Sequence, residues 1–189
     1  MSEKILLSPA ELAAMQVAEH LVVIDTRNPD AYAAGHIPGA VNVHDIFTYL
    51  AMSTPEAIGA LRQKFSDAFG AAGLSGAEES MNSGFGQSCR GYFLLKYLGY
   101  PKAQILHGGY VAWKAAGLPT SNEPSMGKPA QFPLSDAGLH MMLDRDAMLA
   151  ALGDEGTVKL DVRDVDEWIG TSSSPYGPDF CPRKGRIPG

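Results

Sequence analysis

The sequence predicts an α/β fold in which a mostly parallel central sheet is flanked by helices. Short apolar runs alternate with helical patterns along the chain, as expected for such a fold. The run over residues 21–24 is continuous and rich in β-branched residues, which is typical of a strand covered on both faces. Asp25 and Arg27 follow this run. We therefore expect them at the carboxyl edge of the sheet, where α/β folds usually place their sites.

The other elements follow from capping residues and hydrophobic periodicity. Ser8 and Glu11 form a capping box with Pro9 at the first helical position, and they predict a helix that runs to about His20. The remaining predicted elements are a short helical turn over residues 30–35, helices over residues 55–70, 88–98 and 144–152, a short strand entered by the turn at residues 36–43, and strands over residues 103–106 and 158–161.

The expected central strand is anomalous. Residues 76–81 have almost none of the apolar character that an interior strand needs. The sequence therefore predicts either a very short strand at this point or a loss of residues.

Composition argues against several classes of function. Hydrophobic residues make up 45% and charged residues 19% of the chain, as in ordinary globular domains. The net charge of −6 argues against a nucleic-acid partner, because phosphate binding needs a basic face. No signal-peptide core, membrane-spanning run or metal-ligand spacing of histidines is found. We predict a soluble, cytoplasmic protein with no membrane partner, no metal and no cofactor.

The chain contains an internal repeat of the strand-end motif. The corresponding residues, at a constant offset, are Asp25 and Asp161, Arg27 and Arg163, and Tyr32 and Trp168. Each copy then reaches an Ile-Pro-Gly turn, at residues 37–39 and 187–189. A register this consistent predicts tandem domains.

The repeat divides the chain into three expected segments. Residues 1–118 form a first domain, residues 119–138 form an interdomain linker rich in Pro, Ser, Asn and Gly, and residues 139–189 open an incomplete second copy. Residues 170–184 are a loop insertion in that copy. One strand and one turn cannot bury a core, so residues beyond about 164 are expected to be mobile or packed on the first domain.

These motifs together resemble the rhodanese family of sulfurtransferases, specifically its two-domain members. The resemblance is carried by residues 25–27 with 35–40, by residues 106–113 with 116–119, and by the restart at residues 161–163. It implies a rhodanese-like domain followed by the truncated start of a second copy. It also implies thiosulfate:cyanide chemistry, in which a cysteine thiolate takes a sulfane sulfur from a thiosulfate-like anion and holds it as a persulfide. Such chemistry needs a low-pKa thiol beside a helix N-terminus.

The sequence departs from the family at the catalytic loop. The nucleophile position falls on Asn82 and the closing loop arginine on Gln87, so no catalytic residue is assigned here. Ser83, Gly84 and Gly86 remain as a possible anion loop. Because the N-terminal copy of two-domain members commonly lacks the cysteine, the catalytic loop is expected beyond Gly189, and this chain alone should have little activity. The residues assigned to the family signature and to structural roles are Asp25, Arg27, His36, Gly39, Asp161, Arg163, Gly185 and Arg186.

Several residues admit a second interpretation. Cys89 lies in the first turn of a predicted helix, which favours a reactive thiol, but we expect its side chain to face neighbouring packing. Cys181 lies in the loop insertion, away from any strand–loop–helix setting. Asp25 and Arg27 either form an internal ion pair, which we favour, or contact an anionic substrate. His36 is expected to hydrogen-bond backbone in its turn rather than to act as a base.

Two alternative functions stay open at this stage. The first is a non-catalytic rhodanese-like module that binds an anion or a protein partner. The second and weaker one is phosphatase activity, which needs the same missing loop cysteine and arginine. Tyr110 and Trp113 are expected to belong to the core rather than to a ligand platform.

Overall fold

The fold is built on a five-stranded parallel sheet, which confirms the predicted α/β class. The computed structural model describes residues 4–16, 20–49, 51–82, 87–173 and 183–188. Its strands are β1 (Leu6–Leu7), β2 (Leu21–Asp25), β3 (Val41–Asn42), β4 (Glu79–Asn82) and β5 (Ala103–Leu106). They lie in the order β1-β5-β4-β2-β3, and every pairing in the sheet is parallel.

Helices follow the strands in the alternation that the sequence predicts. They are α1 (Pro9–Met15), α2 (Pro29–Ala33), α3 (Asp45–Thr48), α4 (Pro55–Ala71), α5 (Gln87–Tyr97), α6 (Gly109–Ala115), α7 (Arg145–Ala151) and α8 (Val165–Ile169), with a 3-10 turn at Leu139–Met141. The capping box of Ser8 and Glu11 is present. The predicted extension of α1 to His20 is wrong, because the His20 carbonyl already accepts a hydrogen bond from Glu79 N at the start of the sheet pairing.

Two apolar layers cover the two faces of the sheet. On one face, α4 and α5 pack Phe65, Phe69 and Leu94 over the strands. On the other face, Leu12 of α1 and Trp113 of α6 pack against the sheet. Tyr110 and Trp113 are both buried, so the prediction that they belong to the core is confirmed.

The anomalous segment is the central strand, and it is very short. β4 has four residues and pairs with β2 on one side and β5 on the other. Met81 and Ser80 are both fully buried. Met81 joins the layer that contains Trp113. Ser80 is buried among described residues with no hydrogen-bond partner for its hydroxyl. The strand therefore tolerates its polar sequence because it is short and its backbone is paired on both sides.

Residues 119–138 have no helix or strand, as their composition predicts, yet they pack closely on the first domain. Phe132 is buried with its ring 5.4 Å from the ring of Tyr100 and 5.8 Å from that of Phe69. The backbone is also held, because Ala130 N donates to Gly70 O over 2.8 Å. The interdomain role and the boundaries of this segment stay predictions.

The chain divides into two compact units, Met1–Met142 and Leu143–Gly189. The described part of the second unit contains α7 and α8 but no strand. The strand predicted over residues 158–161 is therefore wrong: Val158 is 81% and Leu160 82% exposed. Apolar, β-branched residues form a strand only where another strand supplies backbone partners, and none does so here. The predicted mobility beyond residue 164 stays a prediction.

Candidate functional site

Neighbouring strands end side by side at the carboxyl edge of the sheet. The pairing register aligns Ile24 of β2 with Val41 of β3 and with Asn82 of β4, and it aligns Asn82 with Ile105 of β5. The segments that leave these strands therefore start close together, as at the sites of other parallel α/β folds.

Asp25 and Arg27 form the internal ion pair that the sequence favoured. Arg27 Nε lies 3.0 and 3.1 Å from the two carboxylate oxygens, and Nη2 lies 2.5 Å from Oδ2. The backbone N–H of Arg27 also donates to Oδ1 over 3.0 Å. The other guanidinium contacts are to the carbonyl oxygens of Gly35, at 2.8 Å, and Ala31, at 3.2 Å. The pair therefore ties the end of β2 to α2 and to the following turn.

The environment of this pair is buried and aromatic. The Asp25 side chain is fully buried, and that of Arg27 is 19% exposed. The Arg27 guanidinium lies 4.1 Å from the centre of the Tyr110 ring, within the range of a cation–π contact. Its charge is therefore balanced by Asp25, and most of its N–H groups donate to protein oxygens.

Asn42 is a part of this edge that sequence reasoning missed. Its side-chain amide donates to the carbonyl oxygens of Asp25, at 2.9 Å, and Arg27, at 2.8 Å. It thereby satisfies the backbone where β2 leaves the sheet. The available signal was an amide residue at the end of a short strand, next to the predicted edge.

The predicted nucleophile position lies at the end of a strand, and the predicted position of the loop arginine lies at the start of the next helix. Asn82 is the last residue of β4, and Gln87 is the first residue of α5. The possible anion-loop residues Ser83, Gly84 and Gly86 lie outside the described residues. The side-chain amide of an asparagine is not a nucleophile towards sulfur, which needs a thiolate.

Polar atoms without partners occur at this edge. Among described residues, the Thr26 hydroxyl, His44 Nδ1 and Gln87 Oε1 are buried and have no hydrogen-bond partner. Thr26 follows β2 and is fully buried. Gln87 stands where the resemblance expects the loop arginine. Buried polar groups without partners destabilise a fold.

Neither cysteine stands at position 82, the predicted nucleophile position. Cys89 is the third residue of α5 and is exposed, so the expectation that its side chain faces packing is wrong. The reason is helical geometry, because α5 buries Ser88, Gly91 and Leu95 and leaves position 89 on the outer side. Cys181 lies outside the described residues.

The turn that follows α2 is fixed by His36 and Gly39. His36 is fully buried; its Nδ1 lies 2.9 Å from Tyr32 O and its Nε2 3.1 Å from Glu123 O. The prediction that His36 hydrogen-bonds backbone is therefore confirmed. Gly39 has a φ of +78°, a left-handed conformation that residues with a Cβ rarely adopt.

The second unit repeats the ion pair of the first. Arg163 Nε lies 2.9 and 3.2 Å from the carboxylate oxygens of Asp161, and Nη2 lies 2.5 Å from Oδ2. Arg163 Nη2 also donates to Gly185 O over 3.0 Å, as Arg27 does to Gly35 O. Hydrogen bonds from the Arg163 side chain and backbone lower the pKa of Asp161 to about 2.

Arg186 completes the likeness between the two units. It stands where the first unit has His36, and its guanidinium lies 4.0 Å from the centre of the Trp168 ring. In the first unit the His36 ring stacks on Tyr32 with 3.8 Å between ring centres. Each unit therefore places a basic side chain against an aromatic ring.

The described part of the chain holds neither a metal-binding cluster nor a membrane-spanning helix. No group of three or more His, Cys, Asp or Glu side chains there is arranged to hold a metal ion. The helices of that part include none with both the length and the apolar character that a membrane crossing requires.

The fold agrees with comparison to known protein families. Residues 8–116, more than half of the chain, match the family model of the rhodanese-like domain, and the chain belongs to this family. It is 28% identical over 190 residues to the thiosulfate sulfurtransferase of Azotobacter vinelandii, in a match covering 98% of this chain and 67% of the relative. It is 33% identical over 130 residues to a putative thiosulfate sulfurtransferase of Synechococcus elongatus, covering 62% of this chain and 38% of the relative.

Solved structures show the same fold. A 3-mercaptopyruvate sulfotransferase of Escherichia coli superposes with a TM-score of 0.78 at 20% identity, covering 99% of this chain and 73% of that one. The anaerobic ergothioneine biosynthesis enzyme of Chlorobium limicola gives a TM-score of 0.78 at 22% identity, covering 97% of this chain. The chain spans 48% of that enzyme and only part of each curated relative.

Proposed function

We propose that this chain is the non-catalytic first domain, and the opening of the second, of a tandem thiosulfate:cyanide sulfurtransferase. The observation that carries the proposal is the paired geometry of the two units. Asp25 with Arg27 and Asp161 with Arg163 make matching side-chain contacts, and each arginine also reaches a glycine carbonyl before an Ile-Pro-Gly turn. This likeness supports a repeat better than sequence spacing does, because it includes hydrogen bonds to corresponding backbone groups.

The proposal assigns structural roles to the paired residues. In the first copy, residues 1–118, these are Asp25, Arg27, His36 and Gly39. In the second copy, which starts at about residue 139 after the linker, they are Asp161, Arg163, Gly185 and Arg186. Most of the N–H groups of Arg27 are already bonded to a buried carboxylate and to carbonyl oxygens, which favours a structural role over binding of an anionic substrate.

The sulfur chemistry of the proposal requires a cysteine that Asn82 does not provide. A thiolate attacks the outer sulfur of thiosulfate, the S–S bond breaks, and sulfite leaves with the electron pair. The resulting persulfide then gives its terminal sulfur to cyanide, which leaves as thiocyanate and regenerates the thiolate. We place this cysteine in the catalytic loop of the second copy, beyond Gly189, in keeping with the greater length of the A. vinelandii relative.

The test is to measure thiocyanate formation by this 189-residue chain from thiosulfate and cyanide. We expect no turnover above the uncatalysed background for the unmodified chain and the same result for Cys89→Ala. Asn82→Cys with Gln87→Arg restores the two loop residues that the family pattern expects. This double variant should form a persulfide with thiosulfate, detectable by mass spectrometry and removable by cyanide.

Two results would contradict the proposal. Robust turnover by the unmodified chain that disappears in Cys89→Ala would make Cys89 the nucleophile. Turnover that survives Cys89→Ala but disappears in Cys181→Ala would move the chemistry to the loop insertion. Circular dichroism of each variant controls for loss of fold.

A further inference from the structure

Residues 158–162 form an exposed segment of the second unit with the sequence pattern of a strand. Val158, Leu160 and Val162 alternate with charged residues, and their exposed fractions are 81%, 82% and 93%. A period of two places these three side chains on one face of an extended chain. Among the residues that the structure describes, no strand pairs with the segment and its backbone makes no backbone hydrogen bond. The segment therefore offers an apolar face and backbone groups to a partner strand.

The charges of this segment complement a second copy of the same segment. In an antiparallel pair with Leu160 opposite Leu160 of the second copy, Lys159 lies opposite Asp161. This contact occurs twice, because the pair has a two-fold axis. The same alignment places Val158 opposite Val162 on the apolar face. Apolar pairs and pairs of opposite charge both stabilise adjacent antiparallel strands.

The neighbouring alignments of two such segments are less favourable. An antiparallel pair centred on residue 159 places Lys159 opposite Lys159, and one centred on residue 161 places Asp161 opposite Asp161. A parallel pair in register also brings these like charges side by side, which destabilises a sheet. An alignment centred between two residues sets apolar side chains against charged ones. The charge pattern therefore selects the antiparallel pair centred on Leu160.

The present contacts of the charged residues allow this pairing. The Lys159 ammonium donates to Thr157 O over 3.4 Å, which is a long contact. Asp161 is 24% exposed beside Arg163, so a second cation can approach its carboxylate. Pairing therefore gives the Lys159 ammonium a carboxylate partner and leaves the ion pair of Asp161 with Arg163 in place.

We propose that residues 158–162 of two copies of this chain pair as antiparallel strands and so form a symmetric dimer. The dimer covers the apolar faces of both segments and gives their backbone groups hydrogen-bond partners. An interface of one short strand from each copy is small, so the association is weak and depends on concentration. The proposal rests on this segment alone and is independent of the proposed sulfurtransferase function.

The direct test is sedimentation equilibrium of the intact chain between about 10 μM and 1 mM, the range in which a weak interface associates. A reducing buffer prevents the exposed Cys89 from cross-linking two copies. We expect the weight-average mass to rise from 20.1 kDa towards about twice that value. Hydrogen exchange of the amides of residues 158–162 should slow over the same range. A mass of 20.1 kDa at every concentration would overturn the proposal.

Two charge variants test the alignment itself. Lys159→Glu sets two carboxylates opposite each other, and Asp161→Lys sets two ammonium groups opposite each other, so neither variant should dimerise alone. An equimolar mixture restores opposite charges at both contacts and should dimerise. Lys184→Glu makes the same charge change at another exposed position of the second unit and should leave the association unchanged.

Circular dichroism checks that each charge variant keeps its fold. Association that persists in Lys159→Glu alone would place the interface elsewhere on the chain and refute the proposal. A mixture of the two variants that stays monomeric, although the unmodified chain dimerises, would also refute the pairing of Lys159 with Asp161.

Discussion

The two Asp-x-Arg motifs of this chain have the same local geometry, but the first is buried and the second is partly exposed. Around Asp25 and Arg27, the strand is paired on both sides and the carboxylate is fully buried. Around Asp161 and Arg163, the structure describes no strand, and the two side chains are 24% and 42% exposed. Yet Arg163 reaches its aspartate and a glycine carbonyl with the distances seen for Arg27 to within a few tenths of an ångström.

This difference separates local from long-range determinants of structure. The ion pair depends on residues two apart, so it forms in either context. A strand requires backbone partners from distant parts of the chain, and in the first unit β3 and β4 supply them. The apolar residues Val158, Leu160 and Val162 have the sequence of a strand but are more than four-fifths exposed. Local sequence therefore fixes the motif, and tertiary pairing decides whether it becomes part of a core.

The sharpest test of this contrast removes the arginine from each unit. Arg27→Ala leaves the Asp25 carboxylate buried without its cation and removes the donors to Gly35 O and Ala31 O. We expect a loss of about 3–5 kcal/mol in the free energy of unfolding, because an unpaired buried charge is strongly destabilising. Arg163→Ala should cause a much smaller loss, because its pair is partly exposed and the carboxylate that it leaves behind can be solvated. Urea denaturation followed by circular dichroism measures both.

A matched variant distinguishes charge from packing at the first pair. Asp25→Asn with Arg27→Met replaces the two charges by neutral groups of similar size. It should recover part of the stability lost in Arg27→Ala, because no isolated charge remains. Equal losses for Arg27→Ala and Arg163→Ala would mean that burial does not separate the two units energetically.

A smaller effect is expected on β4, the strand that supports the first unit and has no counterpart in the described part of the second. Ser80 is fully buried and its hydroxyl has no hydrogen-bond partner among the described residues. Ser80→Ala should therefore stabilise the chain by about 1 kcal/mol, because a buried polar group without a partner is removed. The change is measured as a rise in thermal midpoint.

Ser8 supplies the control for Ser80, because its hydroxyl caps α1 and is fully used. Ser8→Ala should destabilise the chain by about 1 kcal/mol. If both serine variants lower the thermal midpoint, Ser80 must have a partner in solution, and the idea that β4 is held by its backbone pairing loses its support.

Much of the fold could be predicted from the sequence. Capping residues and apolar periodicity were enough for α4, α5, α7 and β5, whose limits fall within a residue or two of those observed. The central strand was harder, because the pairing that stabilises β4 comes from residues far away in sequence. The strand predicted over residues 158–161 was wrong because no other strand among the described residues pairs with this segment. Periodicity indicates which secondary structure a segment can form, whereas strand pairing depends on segments that are distant in sequence.

The candidate site could be predicted only in part. Spacing alone suggested the Asp25–Arg27 pair, because an acid and an arginine two residues apart at a strand end can meet. The contribution of Asn42 could not be found in this way, because it depends on the parallel register of β2 and β3. The contact of His36 with Glu123 joins residues that are even further apart in sequence, so it could be predicted only from the path of residues 119–125 over the fold. The roles assigned to Asn82 and Gln87 stay predictions.

The smallest expected effect concerns the exposed pair, and it shows whether that pair exists in solution. Hydrogen bonds from Arg163 lower the pKa of Asp161 to about 2, below the ordinary value of 3.8. A carboxylate with a depressed pKa stabilises the pair above its ordinary pKa, and this contribution is lost as the pH falls through the lowered one. The Asp161 carboxyl signal, followed by 13C nuclear magnetic resonance, should therefore titrate at about 2, and Arg163→Ala should return it towards the ordinary value. A titration near the ordinary value in the unmodified chain would mean that the partly exposed pair does not form in solution, and that such a pair needs buried surroundings like those of Asp25 and Arg27. The local geometry would then depend on tertiary structure in both units.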